Sequence, residues 1–219
     1  MLKIEDHEKI VFTGDSITDA GRGRPVGEGL WDGVGNGYVR SIETLLNVCY
    51  PERLIHIANT GVSGNTSRDL KQRWENEVLA LKPDWVVCCI GVNDVWRQFD
   101  SPSVFTQHVG PEEYRRNLEE ITEQTQPCVK GLIMMTPYYM EPCREDAMRR
   151  RMDEYGGIMK EVCAERHLPC IDLQAEFDAY LQYRHSSYVM WDRVHPGWTG
   201  SLIIARAFLK EVGFDRPVI

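Results

Sequence analysis

Three side chains near opposite ends of the chain could together perform acyl transfer. Ser16 follows an apolar run and the residues Gly14-Asp15, and Asp192 precedes His195 by three residues. A serine hydroxyl becomes a strong nucleophile when a base takes its proton, and a carboxylate that orients the base assists it. We therefore expect Ser16 to be the nucleophile, His195 the general base and then acid, and Asp192 the residue that orients His195.

Acyl transfer also needs hydrogen-bond donors for the oxyanion of the tetrahedral intermediate. The candidates are the backbone N–H of Ser16, the backbone N–H of Gly64 and the side-chain amide of Asn93. Each residue also has a plain structural interpretation, since Ser and Asn commonly cap helices and Gly is common in turns. However, three successive predicted strands end in such a turn, and the ends of parallel strands share one edge of a sheet. This repetition favours catalysis.

Apolar runs alternate with amphipathic segments, which predicts an α/β fold with a five-stranded parallel sheet and helices on both faces. One domain should span residues 1–219, and the glycine-rich run 21–37 should form a long loop at the active edge. This glycine-rich run lacks the spacing of a phosphate-binding loop. Strands are expected over residues 10–12, 54–58, 85–90, 131–135 and 170–173, and helices over residues 38–48, 66–81, 111–126, 146–166 and 199–212.

The composition argues against several partners and cofactors. A net charge of −8 disfavours nucleic acid and anionic membrane surfaces, both of which need a basic face. No apolar run approaches the roughly 20 residues of a membrane span, and the first residues do not resemble a secretory signal. The seven cysteines form no disulfide framework or metal-binding spacing. We expect a cytoplasmic protein with no metal.

Four segments resemble the sequence blocks of the SGNH (GDSL) hydrolase superfamily, in the same order. The resemblance implies a flavodoxin-like α/β/α sandwich and ester hydrolysis through an acyl-enzyme, without a cofactor. It also implies Ser16, Asp192 and His195 as the catalytic triad and Ser16, Gly64 and Asn93 as the oxyanion hole. The matching segments are Gly14-Asp15-Ser16-Ile17, Gly64, Gly91-Val92-Asn93-Asp94 and Asp192-Arg193-Val194-His195.

Longer segments are similar to those of bacterial intracellular acetylxylan esterases. That likeness implies removal of acetyl groups from xylan fragments, mostly short xylo-oligosaccharides. It is weaker over residues 98–111 and 180–188, so those loops could alter the substrate edge. The similar segments are residues 61–74, 82–99, 148–155 and 191–214.

Aromatic side chains near the predicted site could supply flat faces for sugar rings, although such residues are also ordinary core material. Trp191 is the best placed, because its neighbour Asp192 fixes it near His195. The candidates for substrate binding are Trp31, Trp96, Tyr138 and Trp191.

Three other functions remain open at this point. A lysophospholipase or acyl-thioester hydrolase on the same scaffold would need an apolar acyl channel. A magnesium-dependent phosphatase would use an aspartate nucleophile, but its motif separates two aspartates by one residue, whereas Asp15 and Asp19 have three between them. A non-catalytic carbohydrate-binding protein would have no reason to keep an activated serine.

We also expect a homo-oligomer, with contacts from the last helix, from exposed tyrosines and from the arginine cluster at residues 149–151. We place this cluster on a solvated or subunit-facing surface.

Overall fold

The computed structural model describes residues 1–29 and 31–217. Five strands form one parallel sheet in the order β2-β1-β3-β4-β5. This is the strand order of flavodoxin-like folds, whose ligands bind at the carboxyl edge where the strand order reverses. The predicted five-stranded parallel sheet is confirmed. The strands are β1 (Lys9–Gly14), β2 (His56–Asn59), β3 (Trp85–Cys89), β4 (Gly131–Met135) and β5 (Cys170–Ile171).

Eight α-helices connect and cover the strands of the described residues. Right-handed crossovers place α2 and α8, which pack on each other, on one face and α3, α5 and α6 on the other. The α/β/α layering is therefore as predicted. The helices are α1 (Ser16–Asp19), α2 (Tyr38–Cys49), α3 (Ser67–Glu77), α4 (Val92–Asp100), α5 (Pro111–Thr125), α6 (Ala147–Glu165), α7 (Leu173–Leu181) and α8 (Trp198–Glu211).

The central strands β1 and β3 carry the core. Their apolar side chains are buried, with Val11 paired to Val86 and Phe12 to Val87. The ring of Phe12 meets Phe208 of α8 edge to face, with 5.3 Å between centroids. Burying each such side chain stabilises the fold by about 1.5–3 kcal/mol. The carboxyl ends of β1 and β3 are thereby held rigidly side by side.

Several predicted boundaries were wrong for identifiable reasons. The strand predicted to reach residue 173 ends at Ile171, because the Asp172 side chain accepts the N–H of Ala175 and starts α7. The helix predicted to reach residue 81 ends at Glu77, and a 3₁₀ turn follows over Leu79–Leu81. Helix α7 was not predicted, and α1 and α4 were considered only as helices that the polar residues after the first and third strands would cap.

The arginine cluster at residues 149–151 is not uniformly a surface. Arg149 is buried, and its guanidinium donates to the Asp178 carboxylate at 2.7 and 3.0 Å and to the Asp153 carboxylate at 2.9 Å. The prediction that this residue faces solvent or a subunit was therefore wrong. In the part of the chain that the structure describes, no helix is both long and apolar enough to cross a membrane.

Candidate active site

A sharp turn at the end of β1 presents Ser16. Gly14 has φ +152°, and a Cβ there would lie 2.0 Å from the carbonyl oxygen of Cys89 on β3, so only glycine fits. The Asp15 side chain accepts the backbone N–H of Ile17 at 2.9 Å and caps the short helix that Ser16 begins. Helix capping and catalysis are therefore compatible in this stretch. Asp15 caps the helix, while Ser16 stays half-buried and points its hydroxyl toward the loop that carries His195.

A continuous hydrogen-bond chain joins the three predicted catalytic side chains. The Ser16 hydroxyl lies 2.9 Å from Nε2 of His195, and Nδ1 of His195 lies 2.6 Å from Oδ2 of Asp192. The side chain of His195 is 41% exposed and that of Asp192 is 16% exposed. The structure therefore brings together residues that are 179 positions apart in the chain. In this arrangement a proton can pass from the hydroxyl to the imidazole while the carboxylate fixes the ring.

Asp192 is held as a carboxylate by its surroundings. Burial raises the pKa of its carboxyl, but hydrogen bonds from the side chain and backbone of His195 and from the backbone of Val194 outweigh burial, and the pKa falls below its usual value. Oδ1 accepts the backbone N–H groups of Val194 at 3.0 Å and His195 at 2.8 Å. Asp192 therefore orders its own loop as well as the imidazole.

Tyr138 contacts the loop of Asp192 and His195 from the protein core and is not available to a substrate. Its side chain is fully buried against Phe177, with 4.4 Å between ring centroids, and its hydroxyl donates to the carbonyl of Val194 at 2.9 Å. The prediction that Tyr138 binds substrate was therefore wrong. The loop is also tied down by a bond from the Met140 N–H to the Arg193 carbonyl at 3.0 Å.

The three predicted oxyanion donors follow three neighbouring strands. Ser16 lies after β1, Gly64 after β2 and Asn93 after β3, and these strands are adjacent in the order β2-β1-β3. Among the described residues, the backbone N–H groups of Ser16 and Gly64 have no acceptor. Gly64 has φ +84°, and within the described residues no atom other than those of its chain neighbours lies within 4 Å of where its Cβ would be. Backbone conformation, not crowding by the protein, therefore favours glycine at this position.

The amide of Asn93 has a fixed orientation. Nδ2 donates to the carbonyl of Asn65 at 3.0 Å, and Oδ1 accepts from Arg97 at 3.2 Å. The residue is 2% exposed at the start of α4. An amide nitrogen carries two hydrogens, so one remains available after the bond to Asn65.

Sequence reasoning missed Arg73 and Arg97, which contact the oxyanion turns. One signal could have found Arg73, because it lies on α3 three residues after Leu70 and directly before Trp74, both of which are fully buried. A charged residue within an apolar helix stripe is unusual and needs partners. No comparable signal marks Arg97, whose neighbour Trp96 lies with its ring centroid 5.7 Å from that of His195.

Three other tryptophans expose most of their side chains. Trp31 is 87% exposed and Trp191 is 88% exposed. Trp198, which begins α8 three residues after His195, is 67% exposed and was not among the predicted residues. The structure thus leaves Trp31, Trp191 and Trp198 open to solvent and places Trp96 against the imidazole.

A polar cavity of about 430 Å³ adjoins Gly64. Two arginines line it, but both are already paired: Arg68 with Glu113, and Arg97 with Asp100. The cavity is therefore polar without offering an unpaired cation. Its other lining residues are Thr66, Asp69, Thr106 and Gln107.

The fold and this constellation define a serine hydrolase of the SGNH type, and comparison with known proteins agrees. The model of the GDSL-like Lipase/Acylhydrolase family matches residues 12–202, and the chain belongs to this family. It is 49% identical to an acetylxylan esterase of Geobacillus stearothermophilus over 214 residues, which cover 98% of both chains.

Solved structures agree with that relationship. The crystal structure of an acetylxylan esterase from Geobacillus stearothermophilus superimposes with a TM-score of 0.95 at 49% identity, covering 98% of each chain. An alpha/beta hydrolase from the metagenome of Lake Arreo, Spain, superimposes with a TM-score of 0.95 at 48% identity, covering 97% of this chain and 98% of its own.

Proposed function

We propose that this protein is a serine esterase that removes acetyl groups from acetylated xylan fragments or xylo-oligosaccharides through an acyl-enzyme. The observation that carries the proposal is the hydrogen-bond chain from Ser16 through His195 to Asp192, with distances of 2.9 and 2.6 Å. The 49% identity to an acetylxylan esterase supports the choice of substrate.

The first half of the reaction acylates the serine. Oγ of Ser16 attacks the carbonyl carbon of the acetyl ester while Nε2 of His195 takes its proton, and Asp192 stabilises the resulting imidazolium. The oxyanion accepts hydrogen bonds from the N–H groups of Ser16 and Gly64 and from the free amide hydrogen of Asn93. The intermediate then collapses, and His195 returns the proton to the departing sugar oxygen.

The second half releases acetate. Water attacks the acetyl-serine, with His195 taking a proton from the water and then giving it to Oγ of Ser16. The same oxyanion donors serve both tetrahedral intermediates.

The polar cavity beside Gly64 supports a saccharide over a long acyl chain. Thr106 and Gln107 expose a hydroxyl and an amide there, and the neighbouring arginines are neutralised by carboxylates. These groups suit the hydroxyls of a neutral sugar, whereas a long acyl chain needs an apolar channel. The apolar cavity of about 500 Å³ between α2 and α8 is lined by none of the proposed catalytic residues within the described ranges.

We propose that Trp96, Trp31 and Trp191 contact sugar rings. Exposed aromatic faces offer apolar area with little loss of side-chain freedom on binding. Trp191→Ala should raise KM for acetylated xylo-oligosaccharides about threefold or more, with a smaller effect on 4-nitrophenyl acetate, which carries no sugar. Tyr183→Ala, at another site that is 82% exposed, is the matched control. An unchanged KM in the tryptophan variant would remove Trp191 from the substrate site.

We further propose that the protein acts in the cytoplasm as a homo-oligomer. All seven cysteines are free thiols, which suits a reducing compartment. The exposed Leu202 of α8 lines the apolar cavity between α2 and α8, which offers a face for a second copy. Light scattering on the purified protein measures the mass, and a value near 25.2 kDa would contradict the oligomer.

The decisive experiment measures acetate release from acetylated xylo-oligosaccharides beside esters of increasing acyl length. Wild type should release acetate in the presence of a chelator and lose activity sharply as the acyl chain lengthens, while Ser16→Ala should be inactive. Preferred turnover of long-chain esters would favour the lipid or thioester alternative. Loss of acetate release with the chelator would contradict the metal-free triad mechanism, and turnover by Ser16→Ala would refute the proposed nucleophile.

A further inference from the structure

The guanidinium of Arg73 reaches from α3 to the carboxyl ends of two strands. Nη2 donates to the carbonyl of Gly14 at 3.1 Å, Nη1 donates to the carbonyl of Thr60 at 2.8 Å, and Nε donates to Oδ1 of Asn65 at 2.7 Å. Its side chain is only 12% exposed. Burial of a charged group is costly unless it forms hydrogen bonds, and each of the three nitrogens of this guanidinium has an acceptor.

Two of these acceptors, Gly14 and Asn65, lie within two residues of a proposed oxyanion donor. Gly14 is two residues before Ser16, and its carbonyl also accepts the N–H of Val62 at 3.0 Å, which ties the serine turn to the turn after β2. Asn65 directly follows Gly64. The carbonyl of Asn65 accepts the amide of Asn93 at 3.0 Å. Through Gly14 and Asn65, Arg73 thus contacts the turns that carry Ser16 and Gly64, and the Asn65 carbonyl links the second turn to Asn93.

A second charged side chain holds the other side of Gly64. Oδ2 of Asp19 accepts both the backbone N–H of Ser63 at 3.0 Å and its hydroxyl at 2.9 Å. Gly64 itself is exposed, has φ +84° and makes no hydrogen bond through its N–H within the described residues. Its orientation therefore depends on Ser63 and Asn65, and Arg73 fixes the latter.

We propose that Arg73 is a positioning residue for the oxyanion hole. It joins the turn that carries Ser16 to the turn that carries Gly64, and it holds Asn65, whose carbonyl accepts the Asn93 amide. The inference rests on the proposed esterase mechanism. Arginine suits this role because its planar fork directs several donors at fixed angles, whereas the ammonium of lysine cannot satisfy three separated acceptors in that geometry.

The test compares Arg73→Lys with Glu77→Gln. Glu77 forms the ion pair of Arg73 on the solvent side at 3.1 Å and is 48% exposed, so its variant removes the charge partner and leaves the three inner hydrogen bonds. Active sites are counted with a fluorophosphonate that labels Ser16, and kcat for 4-nitrophenyl acetate is expressed per labelled site. Because a misplacement of about 1 Å costs about 100-fold, kcat of Arg73→Lys should fall about 10- to 100-fold with little change in KM. Glu77→Gln should stay within about twofold of wild type.

A double-mutant cycle separates positioning from loss of stability. Asn65→Ala removes one acceptor of Arg73 but keeps the backbone carbonyl that accepts from Asn93. It should lower kcat by itself, and the double variant with Arg73→Lys should lose less than the product of the two single losses, because the two residues act through one contact. If Arg73→Lys does not fold, Asn65→Ala still tests the link, and an unchanged kcat per site would overturn the proposal.

The outcomes distinguish this inference from the proposed function. Turnover by Ser16→Ala would overturn the esterase mechanism itself. Serine-dependent turnover with a normal kcat per labelled site in Arg73→Lys, or with strictly multiplicative losses in the cycle, would leave the mechanism standing and overturn only the role of Arg73. A fall in thermal stability with a normal kcat per site would make Arg73 purely structural.

Discussion

The carboxylate of Asp94 accepts both the backbone N–H of Ser67 at 3.0 Å and its hydroxyl at 2.5 Å. Asp94 follows the proposed oxyanion residue Asn93, and Ser67 begins α3, so this contact fixes α4 against the start of the helix that carries Arg73. Asp94 is completely buried. Burial raises the pKa of its carboxyl to about 7, although the hydrogen bonds from Ser67 act in the opposite direction.

This buried carboxyl should make stability depend on pH. Its folded pKa of about 7 exceeds the unfolded value of about 3.9, so the native state binds more protons between those values. The stabilisation is therefore complete below about pH 4 and declines as the pH rises to about 7, with a slope of at most about 1.4 kcal/mol per pH unit. Asp94→Asn removes this contribution, so the free energy of unfolding of the variant minus that of wild type should rise with pH.

Urea unfolding at several pH values between 4 and 7 measures that difference. Asp32→Asn, which changes a carboxylate that is 74% exposed, is the control and should give a flat difference. A difference for Asp94→Asn that does not vary with pH would show that the native carboxyl titrates as in the unfolded chain.

Asn93→Ala should lower kcat far more than it changes KM. Its amide is proposed to donate chiefly in the transition state, and removal of one such donor typically costs about 10²–10³ in kcat. Steady-state kinetics on 4-nitrophenyl acetate give both constants. Asn47→Ala on the exposed side of α2 is the matched control. If Asn93→Ala keeps the wild-type kcat, its amide does not bind the oxyanion.

Asp192→Asn should separate the ordering of the loop from the orientation of the histidine. The amide oxygen can still accept the N–H groups of Val194 and His195, but the amide nitrogen cannot accept the hydrogen on Nδ1 of His195. We expect kcat to fall about 10³- to 10⁴-fold while the melting temperature changes little. Calorimetry and kinetics on the same preparation check both parts. A loss of less than about tenfold would argue against Asp192 as the orienting residue.

Two glycine substitutions should change stability in opposite directions. Gly14→Ala places a Cβ 2.0 Å from the Cys89 carbonyl at φ +152°, and should destabilise the protein by about 2 kcal/mol or more. The Cβ of Gly157→Ala in α6 meets no atom within 4 Å from the rest of the described structure, its own helix backbone aside, and the change should stabilise the protein by about 0.5–1 kcal/mol. Denaturant unfolding measures both. Equal effects of the two substitutions would show that the strand β3 can move away from the serine turn.

The sheet and its active edge are predictable because their signals are local. The apolar runs of β1 and β3 indicate buried strands, and the glycines that follow them indicate turns, so parallel pairing alone places Ser16 and Asn93 at one edge. The pairing of His195 with Asp192 is similarly favoured by a spacing of three residues in a loop. These features need no knowledge of distant contacts.

The errors occur where a residue's environment depends on the tertiary fold. Tyr138 and Tyr139 are adjacent and chemically alike, but the sheet turns the first into the core and only the structure shows which one. Arg149 looks like part of a surface cluster, yet it is buried because Asp178 on α7 approaches it. Helix α4 has only 9 residues and begins within the turn predicted at Gly91–Asp94, and the bond from Arg97 to Asn93 within it is a side-chain contact that the sequence does not reveal.

The 179-residue separation of Ser16 and His195 affects when activity can appear as the chain folds. A nascent chain that has assembled its sheet up to β5 holds the proposed nucleophile without its proposed base, because the loop at residues 191–197 follows the final strand. Under the proposed mechanism, hydrolysis begins only when this loop packs over Tyr138 and places His195 beside Ser16. The onset of activity during refolding should therefore report docking of the loop.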